Sequence, residues 1–158
     1  MREAEFLRAH TTRATKVTLP GPYLLSRSMW VQKLSAASYP TRELLCTDIV
    51  NILREELKEL AALGVEIVQF DEPVLTELVF AGKAATRTFM CAALAAAADP
   101  AAELRLAVEL INRVVADIPG IRTAIHVCRG NWSRKEDVLL SGDYDPLLPY
   151  LAQMKVDQ

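Results

Sequence analysis

Two short apolar runs, each closing on polar residues and separated by helix-forming sequence, constrain the fold of this chain more than any other feature. Val65-Glu66-Ile67-Val68-Gln69-Phe70 has the length and β-branched content of a strand and ends on Asp71-Glu72-Pro73. Thr123-Ala124-Ile125 leads into His126-Val127-Cys128-Arg129-Gly130-Asn131-Trp132. Strands joined through helices pair in parallel by crossover connections. In such sheets the chemistry sits at the carboxyl ends of the strands. Both runs place their polar residues there.

The segments around them agree. Lys16-Val17-Thr18-Leu19 reads as a first strand, stopped by Pro20-Gly21-Pro22, where two prolines flank a glycine and a turn is expected. Residues 23–40 read as a loop or weak helix. Thr41 is a candidate N-cap for a helix reaching about Ala62. There Leu45, Ile49, Ile52, Leu53, Leu57 and Leu60 recur every three or four positions as one buried stripe, with Arg54, Glu55, Lys58 and Glu59 on the solvent side. Gly64 reads as its left-handed terminator. Residues 75–97 are alanine-rich and read as helical. Asp99-Pro100 restarts a helix, with Asp as N-cap and Pro at the first turn, and Leu104, Val108, Ile111 and Val115 mark its apolar face. Ile118-Pro119-Gly120 ends it, a strand follows over 122–126, and Asp143 to Met154 reads as a last short helix. Lys155-Val156-Asp157-Gln158 has the look of an approach to another strand.

The resulting order, β-loop-α-β-α-α-β-α, is an α/β fold with a parallel sheet. A closed (β/α)8 barrel needs eight strands and about 250 residues. With 158 residues and three clear strands, this chain is too short to close one alone. Residues 1–14 read as an N-terminal tail, with His10 exposed in it, and 15–158 as one domain. A net charge of −2 gives no electrostatic case for nucleic acid or an anionic membrane. The longest apolar stretch, Phe89 to Ala98 with its alanine-rich part from Cys91 to Ala98, is far short of a membrane span, and Met1-Arg2-Glu3-Ala4-Glu5 lacks the apolar core of a signal peptide. Three cysteines without framework spacing fit a reducing, cytoplasmic compartment.

His126 and Cys128 lie two positions apart at a strand end, so they point to the same side. Imidazole nitrogen and thiolate sulfur are zinc donors, but two residues are only half of a tetrahedral site. The pair reads either as a packed histidine and cysteine or as part of a metal centre. Asp71 and Glu72 are adjacent and cannot both face the same way while strand geometry persists. They read as an ammonium-binding or basic pair, or as caps for the following helix. Gln69 shares the parity of Asp71. Trp30 reads as a packing residue or as a surface on which a flat heterocycle stacks. Cys46 and Cys91 read as core residues. No glycine-rich phosphate loop, Gly-x-Ser-x-Gly elbow or HExxH motif occurs.

Taken together, Val68-Gln69-Phe70-Asp71-Glu72-Pro73 and His126-Val127-Cys128-Arg129-Gly130-Asn131-Trp132 resemble the two signature segments of the cobalamin-independent methionine synthase catalytic domain. Lys16 to Pro22 and the Tyr39-Pro40-Thr41-Arg42 helix start are similar to shorter, single-domain members, and the likeness covers about residues 15 to 158. The resemblance implies a zinc enzyme on a (β/α)8 (TIM-type) barrel that transfers a methyl group from 5-methyltetrahydrofolate to the thiol of homocysteine. It implies zinc ligation by His126 and Cys128, capture of the substrate amino group by Asp71, and a place near the pterin for Trp30. No residue of this chain takes a catalytic role in that transfer by the match. The family's zinc site also uses a Glu and a second Cys from later strands, and neither is present here. The chain therefore resembles the middle of the barrel, expected to self-associate or to be completed by a partner chain. Alkyl transfer to another thiol such as coenzyme M, and a non-catalytic half-barrel, are the alternative readings.

Overall fold

The computed structural model describes residues 2–80, 99–129, 140 and 142–158. Its centre is an open sheet of three parallel strands in sequence order: β1 (Lys16–Pro20), β2 (Ile67–Asp71) and β3 (Arg122–His126). Lys16 pairs with Ile67 and Ile67 with Arg122. At the other end Pro20 pairs with Asp71 and Asp71 with His126. The three carboxyl ends are therefore level.

Helices cover one face of this sheet. Before β1 stands α1 (Arg2–Ala9); between β1 and β2 come α2 (Pro22–Met29), α3 (Gln32–Ser35) and α4 (Arg42–Ala62). Between β2 and β3 come α5 (Leu75–Phe80) and α6 (Pro100–Val115), and α7 (Leu148–Leu151) follows β3. Val68 and Phe70 of β2 point into the helical layer and are fully buried, packed with Leu53, Leu57 and Leu60 of α4 and Leu110, Ile111 and Val114 of α6. Alternation then sends Ile67, Gln69 and Asp71 to the opposite face, with Lys16 and Thr18 of β1 and Arg122 and His126 of β3 in register beside them. Apart from Ile67 and the buried Ala124, that face is polar, and Lys16, Thr18, Gln69, Asp71, Arg122 and His126 on it are half-buried or exposed.

Local signals account for most element ends. Thr41 is the N-cap residue of α4, in extended conformation. Gly64 sits at φ +78 beyond its last turn, the left-handed position an L-residue resists. Asp99 accepts from the Ala102 N–H at the start of α6, with Pro100 in the first turn.

Several expectations are corrected. Val65 and Glu66 only lead into the strand, the Val65 N–H still bonding to Leu60 O, so β2 starts two residues later and reaches Asp71. The Pro20-Gly21-Pro22 turn is also a helix start: Gly21 is the N-cap and Pro22 the first residue of α2, where its missing N–H costs nothing. Ile52 is not in the α4 stripe; it is 67% exposed, and Cys46 and Val50 are buried instead. Arg54 does not face solvent alone. Its guanidinium reaches the carbonyls of Arg113 (2.6 Å), Val114 (3.1 Å) and Ala116 (2.8 Å), tying α4 to the C-terminal end of α6. Val115 is half-buried, and Leu110 and Val114 take the core positions. The final helix is shorter than the expected 143–154.

The segment read as a tail carries α1. Ala4 is buried, and Arg8 pairs with Glu66 at 3.2 Å. Glu66 also accepts from the Thr15 N–H and hydroxyl, and the former holds its carboxyl below the usual range. His10 is exposed and stacks on Phe6 at 3.9 Å between ring centroids. At the other end, residues 155–158 run along the free edge of β3. Gln158 N–H reaches Thr123 O at 3.2 Å and Ile125 N–H reaches Gln158 O at 2.9 Å, the pattern of a parallel neighbour to Ala124. The Asp157 carboxylate accepts from the Thr123 N–H at 2.7 Å. The expected helix over 81–97, with Cys91, lies outside the described residues.

Candidate functional site at the carboxyl ends of the strands

Asp71 and His126 are the last residues of β2 and β3, directly paired in register on the polar face. Cys128 follows two residues beyond β3 and, like His126, is half-buried. Gly130 to Trp132 lie outside the described residues.

The Asp71 carboxylate is oriented by a short relay across the polar face. Lys16 Nζ donates to Gln69 Oε1 at 2.7 Å, and Gln69 Nε2 donates to Asp71 Oδ1 at 2.7 Å. Fixing the Gln69 oxygen on Lys16 turns its NH2 toward Asp71. The shared parity of Gln69 and Asp71 in the sequence points to this contact, whereas the Lys16 link needs the strand register.

Glu72 points the other way, as the alternation requires. It is 1% exposed, and its carboxylate accepts from the N–H groups of Tyr23 (2.7 Å) and Leu24 (2.9 Å) at the start of α2. It is thus a helix cap, but for a helix forty-nine residues earlier rather than the following one. Burial pushes its carboxyl up to about 8, against the lowering effect of those two N–H donors, and the neighbouring Asp71 charge adds to the rise. A side chain at Gly21 would meet this carboxyl at 2.2 Å, so the glycine is what lets α2 approach.

Trp30 is the C-cap of α2, an eight-residue helix about 12 Å long, and its indole N–H donates to Tyr39 O at 3.1 Å. It lines a cavity of about 350 Å³ together with Arg27, Pro40, Thr41, Arg42 and Glu43. Behind that cavity Glu103 joins three helices: Arg42 donates to both its oxygens at 2.8 and 2.9 Å, and the Tyr23 hydroxyl donates at 2.7 Å. Burial would raise the Glu103 carboxyl, but the Arg42 and Tyr23 hydrogen bonds overcome it and hold it below the usual range. Burial and this bond to Glu103 push the Tyr23 hydroxyl well above its ordinary value. The sequence reading missed Glu72 as a long-range cap, and Tyr23, Arg42 and Glu103 as a cluster; nothing local in the sequence pairs them.

His126 and Cys128 match zinc in donor chemistry and share one strand end. They fit as two donors of a larger set: among the described residues no group of three or more His, Cys, Asp or Glu side chains comes together to hold a metal ion. No helix among the described residues is long and apolar enough to cross a membrane.

Comparison with known proteins gives this arrangement a context. Residues 7–139 match the family model described as the cobalamin-independent synthase catalytic domain. Methionine synthase of Pyrococcus abyssi is 30% identical over 133 residues, covering 84% of this chain and 31% of that protein. That of Pyrococcus furiosus is 29% identical over 157 residues, covering 98% and 35%, and that of Sulfolobus acidocaldarius 24% identical over 147 residues, covering 93% and 32%. The solved structure of a B12-independent methionine synthase from Shewanella sp. W3-18-1, in complex with selenomethionine, superposes with a TM-score of 0.67 at 27% identity over 99% of this chain and 40% of that one. The chain spans about a third of the length of these curated relatives. With its parallel sheet, level strand ends and family match over 7–139, the chain belongs to the cobalamin-independent methionine synthase catalytic-domain family.

Proposed function

We propose that this chain forms part of a zinc-dependent thiol methyltransferase, contributing to the transfer of a methyl group from 5-methyltetrahydrofolate to homocysteine in methionine biosynthesis. The observation that carries the reading is the register of Asp71 with His126 on the face opposite the helices, with Cys128 two residues beyond. His126 and Cys128 would hold the metal, with its other donors outside the described residues. Zinc, when bound, favours the thiolate form of a coordinated thiol at neutral pH. Asp71, oriented by Gln69, takes the ammonium group of the amino acid as a charge-assisted hydrogen-bond acceptor. Trp30 offers an indole surface to the flat pterin from the Arg27–Arg42 cavity. The site would be completed by a second copy or by further strands, since this chain spans about a third of the length of its curated relatives.

The test is zinc content of protein purified without chelators, compared with His126→Ala and Cys128→Ala. About one zinc per chain or per dimer, lost in both variants, supports the reading, and methyl transfer to homocysteine against coenzyme M then settles the acceptor. A folded parent without zinc removes it and leaves the second reading, a non-catalytic half-barrel.

A further inference from the structure

Cys128 lies past the last paired residue of β3, where no strand ladder holds it. Its backbone is held from the neighbouring corner instead. The Thr76 hydroxyl, fully buried on α5, stands 2.6 Å from Cys128 O and 3.0 Å from Pro73 O. A hydroxyl has one proton to give, and the nearer acceptor is the Cys128 carbonyl. One step earlier the Glu72 N–H donates to His126 O at 2.9 Å. The corner between β2 and α5 therefore grips the first and last carbonyls of the His126-Val127-Cys128 tip, one by backbone and one by side chain.

We propose that Thr76 is a positioning residue that fixes the Cys128 backbone relative to His126, so that the two donors share one direction. This inference rests on the reading of the pair as metal donors. The backbone grip at His126 survives any substitution of Glu72 that keeps the strand, whereas the grip at Cys128 depends on one side-chain oxygen. Partners that orient metal donors in this way change metal affinity by about 10- to 100-fold.

The test uses the whole chain as Thr76→Val, which keeps the shape and removes the donor, and Thr76→Ser, which keeps the donor. Val108→Ala in the α6 core serves as a destabilised control. Without metal, amide hydrogen exchange is followed in the peptide covering residues 123–129; with metal, zinc affinity is measured by competition with a chelating dye. The expected result is exchange faster by about tenfold in Thr76→Val, from one lost hydrogen bond, with zinc affinity about 10- to 100-fold weaker. Both are restored in Thr76→Ser and neither is matched by Val108→Ala. Unchanged exchange at 123–129 in Thr76→Val, or an affinity loss equal to that of Val108→Ala, overturns the proposal. A parent that binds no zinc overturns the metal reading, and the exchange arm then decides the Thr76–Cys128 tie by itself.

Discussion

Gly21→Ala is the sharpest perturbation this architecture offers. Gly21 has φ −71 and ψ 150, a conformation alanine adopts without strain, so the backbone itself raises no objection. The objection is spatial: the new methyl would lie 2.2 Å from both Cδ and Oε1 of Glu72 and 2.4 Å from its Cγ. Ordinary carbon contacts need about 3.5 Å, so the carboxyl must withdraw by roughly 1 Å or more. Withdrawal breaks the bonds from the Tyr23 and Leu24 N–H groups, each about 1–1.5 kcal/mol net, giving about 2–3 kcal/mol in all. Displacing α2 instead is an overpacking strain of about 1–3 kcal/mol. Against a total stability of about 5–15 kcal/mol this is a large loss. Urea unfolding of Gly21→Ala, Glu72→Ala and the double variant measures it as a cycle. The expected penalty for alanine at 21 is about 2–3 kcal/mol beside Glu72 and under about 1 kcal/mol once Glu72 is truncated. An equal penalty in both backgrounds refutes the account.

Three further outcomes are expected. The folded chain holds the Glu72 proton up to about 8, whereas an unfolded carboxyl releases it near 4.5. The native state therefore binds more protons across that window, and stability falls as pH rises through it; Glu72→Gln flattens that slope in urea melts taken from pH 5 to 8.5. Glu103→Ala strands the Arg42 guanidinium and costs about 2–3 kcal/mol, while Tyr23→Phe costs about 1 kcal/mol, both read by urea unfolding. Arg54→Met keeps the stem packing but frees the last carbonyls of α6, costing about 1–3 kcal/mol in the same assay and speeding amide exchange around Ala116.

What the sequence discloses is set by how far each signal reaches along the chain. The ends of α4 and the start of α6 are local events, written in Gly64 and Asp99-Pro100, and they fall where the sequence places them. The parity argument that separates Asp71 from Glu72 is equally local, and the two side chains do take opposite faces. The start of α2 is different. Its first N–H groups are satisfied by a carboxylate from position 72, so Pro20-Gly21-Pro22 alone reads as a turn. Arg54 looks like a solvent residue by helical position, and only the packing of α6 against α4 supplies its three carbonyls. Ile52 fails for a related reason: an apolar residue near the edge of a helical stripe is buried only if a neighbour covers that edge, and none does among the described residues. For the site, sequence reveals which residues share a strand end, while the alignment of Asp71 with His126 requires the register.

The division of β2 into a face toward the helices and a face toward the polar side has a genetic consequence. Changes at Val68, Phe70 and Glu72 strike parts that the fold needs in order to exist, while changes at Gln69 and Asp71 strike only what the finished fold presents. On the role proposed for Asp71, a saturation scan from Val68 to Glu72 should therefore alternate, position by position, between losing folded protein and losing amino-acid binding. Five consecutive codons would then separate inheritance of shape from inheritance of chemistry.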